Sequence, residues 1–319
     1  MSGTSAGLTG RETVSIRGEG TLSSRIRRHR WLYVLLLPTL AYFFMFSILP
    51  YYGLSIAFKD FSPFVGIADS KWVGLKHFRR LFVESPDFYR LLRNTLLIHL
   101  YKLIFGFPVP ILFALLLNEV RKSFFKRFVQ TVTYFPHFLS WVIYGGIVVN
   151  FLTPTGVINS TFDSLGMEPM NFLTDTGLFR PIIVATSIMK DFGWSAIIYL
   201  AALSGLNPEL YDSAKVDGAN RYHQLRYVTL PGIMPMISLM LIINLSNILD
   251  AGFEQIYVMM NPSVYAVGDI IDTYVYRMGL EMGQFSLATA VGLFKGVIGF
   301  LLVVSANSLL RRLGQRSIW

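Results

Sequence analysis

The sequence predicts an all-α polytopic membrane protein with six transmembrane helices. Three observations carry that prediction. Charged residues make up 15% of the chain and hydrophobic residues 53%, whereas a soluble domain carries about 25% charged residues. Mean hydropathy is +0.50. Six apolar runs each reach the roughly 20 residues that a helix needs to cross a hydrocarbon core of about 30 Å.

Taken in order, residues 1–30 are polar, rich in Gly, Ser, Thr and Arg, and lack apolar periodicity. They read as a disordered tail. They do not read as a signal peptide, because a full span follows rather than a short apolar core with a cleavage site. Residues 31–319 form the membrane domain. Its spans are predicted at 31–58, 95–117, 128–152, 180–203, 232–249 and 286–310, the fifth extending past Asp250. Pro38, Pro108, Pro110 and Pro235 sit inside these runs or near their ends. Neighbouring helices can satisfy the carbonyls they free.

An even number of spans puts both termini on one side, and the basic residues say which. The tail, the loops after spans two and four, and the C-terminus hold sixteen Lys and Arg, among them Arg25, Arg27, Arg121, Lys126, Lys215, Arg226 and Arg311. The other side holds eight: Arg277, and seven in the loop 59–94. The positive-inside rule therefore predicts cytoplasmic termini. The dissenting loop reads as an amphipathic helix around residues 75–82 on the outer surface.

Several function classes are excluded. Cysteine is absent, which removes disulfides, thiolate nucleophiles and cysteine-based zinc sites. His29, His77, His99, His137 and His223 form no HxxxH or HExxH pair, so a hydrolytic metal site is not expected. The net charge of +9 flanks apolar runs and reads as an orientation signal, not as a nucleic-acid surface. No G-x-x-x-x-G-K-[ST] occurs, so this chain cannot cradle ATP phosphates in a P-loop.

The loop 204–231 is the most informative stretch. Asn207 can cap a helix, Pro208 fits its first position and Glu209 complements its positive end. Gly218 is placed to close that helix in a left-handed conformation. A second short helix is predicted up to Leu230-Pro231, the pair lying across the membrane helices. Local chemistry fits two readings equally: a docking knob for another protein, or an amphipathic helix on the lipid headgroups.

Polar residues at membrane depth are costly and point to function. Lys102, Lys190 and Lys295 lie within predicted spans, with Asp191 beside Lys190. Asn244, Asn247, Asp250 and Glu254 recur at a spacing that puts them on one broad helix face. By helical rise Asn244 falls near the midplane, where carriers bind substrate. Trp194 and Tyr199, with Trp141 and Tyr144, could supply aromatic platforms for a sugar. The competing readings are interhelical hydrogen bonding for the asparagines, internal neutralisation or snorkelling for the lysines, and interfacial anchoring for the aromatics.

A resemblance then enters. Permeases of ATP-binding-cassette importers carry Glu-Ala-Ala, three residues, Gly, nine residues, Ile, one residue, Leu-Pro. Here Asp212-Ser213-Ala214, Gly218, Val228 and Leu230-Pro231 stand at that spacing. Asp217-Gly218-Ala219 resembles the sugar-transporting, maltose-type branch. So does Trp72-Val-Gly-Leu-Lys-His-Phe78. Phe253-Glu-Gln-Ile-Tyr-Val-Met259, Asp272-Thr-Tyr-Val-Tyr-Arg-Met-Gly279 and Ser286-Leu-Ala-Thr-Ala-Val-Gly292 resemble the permeases of polysaccharide and oligosaccharide importers, the alginate type included.

The resemblance implies a type I importer permease of the bacterial inner membrane, with no catalytic residue and no cofactor of its own. It implies two ATPase subunits carrying ATP and magnesium, a second homologous permease and an extracytoplasmic sugar-binding protein. The loop 204–231 would be the coupling loop, with Asp212, Ser213, Ala214, Asp217, Gly218, Ala219, Leu230 and Pro231 as the ATPase contact. The basic groups at membrane depth and the alginate-type likeness together suggest an acidic oligosaccharide. Two rivals remain at this stage. One is an ion-gradient carrier using the span-five polar face and the lysines as a proton relay. The other is a glycan enzyme pairing two of the acids Asp250, Glu254, Asp269, Asp272 and Glu281.

Overall fold

The computed structural model describes residues 30–312, and the predicted tail lies almost wholly outside them. The chain divides into two units, Met1–Gly53 and Leu54–Trp319. Among the described residues, six runs are long and apolar enough to cross a membrane: Arg30–Phe58, Asp87–Glu119, Trp141–Ser164, Thr176–Ser204, Arg221–Ser246 and Phe285–Ser305.

The first run, α1 (Arg30–Phe58), carries Pro38 within its opening turns. In the second unit, a two-residue antiparallel ladder follows, β1 (Lys59–Asp60) on β2 (Lys71–Trp72). The Phe58 ring stacks on Trp72 at 5.6 Å, and Lys76 donates to Asp60 at 2.7 Å. That hydrogen bond holds the Asp60 carboxyl below its usual value. The predicted amphipathic turn is present at Lys76–Arg79 and runs on to Glu84, with His77 and Leu81 buried and Arg79 and Arg80 exposed. Ser286 Oγ donates to the Lys59 carbonyl and accepts from Phe61 N, which anchors the ladder to the start of the last helix.

Helix α2 (Asp87–Glu119) widens by one residue per turn at Lys102–Gly106. The cause is local: Pro108 has no N–H to return to the turn before it. The predicted third span, 128–152, is not one helix. It is α3 (Ser123–Tyr134), a tight turn at Phe135–Phe138, and α4 (Trp141–Leu152). Pro136 ends the first piece, and Ser140 opens the second by accepting from Ile143 N at 3.3 Å. A further helix, α5 (Val157–Ser164), follows a turn at 153–156.

Helix α6 (Thr176–Ser204) is an unbroken α-helix and the hub of the bundle. Asp175 caps it through Gly177 N and Leu178 N. Gly193 lets α3 pass against α6 so closely that any Cβ there would overlap the Thr133 carbonyl. Membrane bundles gain stability from this kind of backbone approach, because lipid supplies no hydrophobic drive between helices. Then come α7 (Pro208–Val216), α8 (Arg221–Ser246), α9 (Phe253–Met259), α10 (Ile271–Tyr276) and α11 (Phe285–Arg312).

The second unit has three packed centres. Ile98, Phe179, Ile183, Ile256 and Ile270 join α2 and α6 to the segment after α8. Leu81, Phe88, Leu91, Ile271 and Val291 join the start of α2 to α10 and α11. Ala114, Ala196, Tyr199, Leu203 and Ile233 join the far ends of α2 and α6 to the start of α8.

Candidate functional site

The knob between α6 and α8 is built by local chemistry. Asn207 Oδ1 accepts from Glu209 N at 3.0 Å, with Pro208 in the first turn. At the other end Ala219 N reaches the Ala214 carbonyl at 2.9 Å and Gly218 N the Lys215 carbonyl at 3.0 Å. Gly218 has φ +76°. This is the paired closing motif that satisfies the last carbonyls of a helix and requires a left-handed residue. Asp212, Ser213, Asp217 and Gly218 are exposed, Ala214 and Ala219 half-buried, and Val216 projects an apolar side chain 88% exposed.

The second half of the knob differs from expectation. No separate helix stands between Gly218 and Leu230-Pro231. Asn220 caps a helix through His223 N at 2.9 Å, and that helix runs on as α8 through Pro231. The cost of Pro231 is absorbed by a widened turn at Leu225–Thr229. The knob is fastened to this base. The Tyr211 hydroxyl lies 3.0 Å from Thr229 Oγ1, and Gln224 Nε2 donates to the Ala219 carbonyl at 3.0 Å. Arg221 reaches Glu119 at the end of α2 at 3.4 Å.

Deeper in the bundle, α2, α6 and α8 enclose a cavity of about 240 Å3. Lys102, Asp191, Trp194, Tyr199 and Asn244 all contribute to its wall. Lys102, Asn244 and the pair Trp194 and Tyr199, proposed from three different spans, therefore line one cavity, with Asp191 beside them. Trp194 stacks on His137 with centroids 4.6 Å apart, and His137 Nδ1 donates to Asp191 Oδ1 at 2.8 Å. Tyr199 is buried, and Asn244 is exposed, its amide folded back to the Met240 carbonyl at 2.8 Å.

The rest of the expected polar face does not form. Helix α8 stops at Ser246, so the fifth span does not extend past Asp250. Asn247 is its C-terminal cap, and Asp250 lies in a turn where its Oδ1 accepts from Gly252 N at 3.0 Å. Glu254 opens α9 and is exposed. Asn and Asp favour helix ends and turns over helix interiors because their side chains compete for nearby backbone groups, and Asn247 stands at such an end.

The lysines divide by surroundings. Lys190 is 5% exposed, donates to the His137 carbonyl at 2.9 Å and lies over Trp141. It serves the break between α3 and α4. Lys295 is held by both oxygens of Asp272 at 2.6 and 2.8 Å. Lys102 donates to the Ala251 carbonyl at 2.8 Å and to Gln255 Oε1 at 2.6 Å, at the rim of the cavity.

Gln255 and Asn94, which the sequence did not single out, tie distant segments together. Buried Gln255 donates to the Ile183 carbonyl and to Thr186 Oγ1 while accepting from Lys102. Asn94 donates to the Ala266 and Asp269 carbonyls and accepts from Arg180 at 2.8 Å. Asp269, 1% exposed, pairs with Arg277. Asp269 and Asp272, two of the five acids named for a glycan enzyme, are each committed to a cation.

Residues 106–318 match the family of binding-protein-dependent transport system inner membrane components. The chain is 47% identical to protein LplB of Bacillus subtilis, over 92% of each chain. It is also 47% identical to the polygalacturonan/rhamnogalacturonan transport system permease protein YteP of the same organism, again over 92% of each. Among solved structures it superposes with TM-score 0.85 and 42% identity on a chain of a bacterial ABC transporter involved in import of the acidic polysaccharide alginate, over 92% of this chain and 99% of that one. A bacterial alginate ABC transporter in complex with alginate pentasaccharide-bound periplasmic protein gives TM-score 0.86 and 41% identity. These relatives leave the ion-gradient carrier without support. The chain belongs to the binding-protein-dependent transport system inner membrane components, as a multi-pass permease of the bacterial inner membrane with the type I importer fold.

Proposed function

We propose that this chain is one permease of a two-permease importer that moves acidic oligosaccharides, uronate chains in particular, into the cell at the expense of ATP. The knob at Asp212–Gly218 faces the cytoplasm with both termini and seats one of two ATPase subunits. ATP and magnesium bind there, not on this chain. An extracytoplasmic binding protein delivers the sugar from the other side. When the ATPases close, the knob moves with them, α8 moves with the knob, and the cavity beneath Trp194 and Asn244 changes its access.

The observation that carries the reading is the fastening of the knob. An exposed helix with an apolar tip is bonded through Tyr211 and Thr229 to the base of the span that lines the cavity. A helix resting on lipid has no need of that connection. The acidic substrate is supported by the printed substrates of the polygalacturonan and alginate relatives. The charge argument narrows to Lys102, which lines the mid-span cavity, because Lys295 is neutralised by Asp272 and Lys190 is not on that wall.

The test is uptake into vesicles holding the complete importer and loaded with ATP, against vesicles given only a proton gradient. Galacturonate oligomer accumulating only with ATP supports the reading. Accumulation driven by the gradient, or a preference for a neutral oligomer of equal length, overturns it.

A further inference from the structure

A second, larger cavity of about 630 Å3 lies beyond the end of α8, among α9, α10 and α11. That size is in the range of sites for small organic ligands, about 300–1,000 Å3. Its wall holds the rings of Phe253 and Tyr276, with centroids 5.4 Å apart, and three charged groups, Asp250, Asp272 and Lys295. Tyr257 backs both rings at 5.4 and 4.8 Å. The cavity shares a stretch of chain with the mid-span cavity. Asn244 stands on the wall of one, Asp250 and Phe253 on the wall of the other, and Lys102 of the first cavity donates to Ala251 between them.

The charges decide what could bind. Lys295 is spent on both oxygens of Asp272. Asp250 forms no ion pair with Lys295, its nearest charged influence being Lys102 behind the wall, and its Oδ1 accepts from Gly252 N. Counting its lining groups, the wall carries one net negative charge and has no unpaired cation to receive a carboxylate. It offers instead carboxylate oxygens to accept from hydroxyls, and aromatic faces whose negative quadrupole suits the C–H face of a sugar ring. We infer that the cavity bounded by Phe253, Tyr276 and Asp250 is an outer sugar subsite that holds a pyranose ring by its hydroxyls and C–H face, not by its carboxylate, before the ring passes to the mid-span cavity. This rests on the importer reading above.

The absence of cysteine makes a clean test. Thr289, on the same wall, is replaced in the variant Thr289→Cys within the assembled importer with its binding protein. Labelling by a membrane-impermeant maleimide is then timed. Tetragalacturonate and a neutral galactose tetramer should each slow labelling several-fold. Phe253→Ala or Tyr276→Leu should remove that protection, and Phe253→Trp should keep it. Unslowed labelling with both sugars overturns the subsite. So does slowing by the uronate alone, since charge would then be what is read, and so does protection that survives loss of either ring. Failure of the acidic-substrate reading shows separately, as missing ATP-driven uronate uptake, and leaves protection by the neutral tetramer standing.

Discussion

The hydroxyls of Tyr211 and Thr229 meet at 3.0 Å, joining the exposed knob to the base of α8 across eighteen residues of chain. Thr229 is buried and also donates to the Gln224 carbonyl in the widened turn. A push on the knob therefore reaches the span through a fixed bond, not through a loose loop.

Tyr211→Phe removes that bond and leaves the ring in place. The stability loss should be about 1 kcal/mol, the net worth of one hydrogen bond. The larger effect should fall on coupling. Sugar moved per ATP hydrolysed in proteoliposomes should drop several-fold, with binding-protein docking unchanged. An unaltered ratio would show that force passes elsewhere.

Gly218 separates backbone cost from steric cost. A Cβ there meets nothing within 4 Å, yet φ is +76°. Gly218→Ala should cost about 1–2 kcal/mol through the left-handed backbone alone. Gly218→Asn should cost less, since its short amide tolerates that conformation. Gly218→Trp should insert normally and abolish sugar-stimulated ATP hydrolysis, because the bulk stands where the ATPase is proposed to sit. Thermal unfolding of the purified complex and ATPase assays check the three together.

Gly193 gives the opposite case. Its backbone is ordinary, but an added methyl would press on the Thr133 carbonyl. Gly193→Ala should force α3 and α6 apart and cost about 1–3 kcal/mol by overpacking. A melting temperature within a degree of wild type would contradict the close approach.

The Lys295–Asp272 pair, about a fifth to a quarter exposed, should behave as a partly buried ion pair. Lys295→Met or Asp272→Asn alone should destabilise by up to about 3–5 kcal/mol, because each strands a charge. The double variant should recover much of that loss. Additive losses in a double-mutant cycle would mean that the two groups do not depend on each other.

What the sequence revealed was what is decided locally. The spans follow from about 20 apolar residues in a row, and the knob from Asn207, Pro208 and Gly218, each of which acts within one turn of chain. What escaped was decided at a distance or by competition. Asn94 and Arg180 lie 86 residues apart and Gln255 finds its partners 69 to 72 residues back, so no spacing rule connects them. The periodicity of Asn244, Asn247 and Asp250 was read as one helix face because it ignored the pull of those side chains on nearby backbone. The interruption at Pro136 was hidden by apolar residues on both sides of it.

That interruption bears on how the protein is made. The His137 carbonyl finds its donor in Lys190, and the His137 ring finds Asp191 and Trp194, all on α6. A polar backbone group left bare in hydrocarbon costs several kcal/mol. The segment containing the interruption is thus a poor passenger by itself, and its partner emerges from the ribosome some fifty residues later. Entry of 123–152 into the lipid together with α6, and not ahead of it, is the order that this dependence favours.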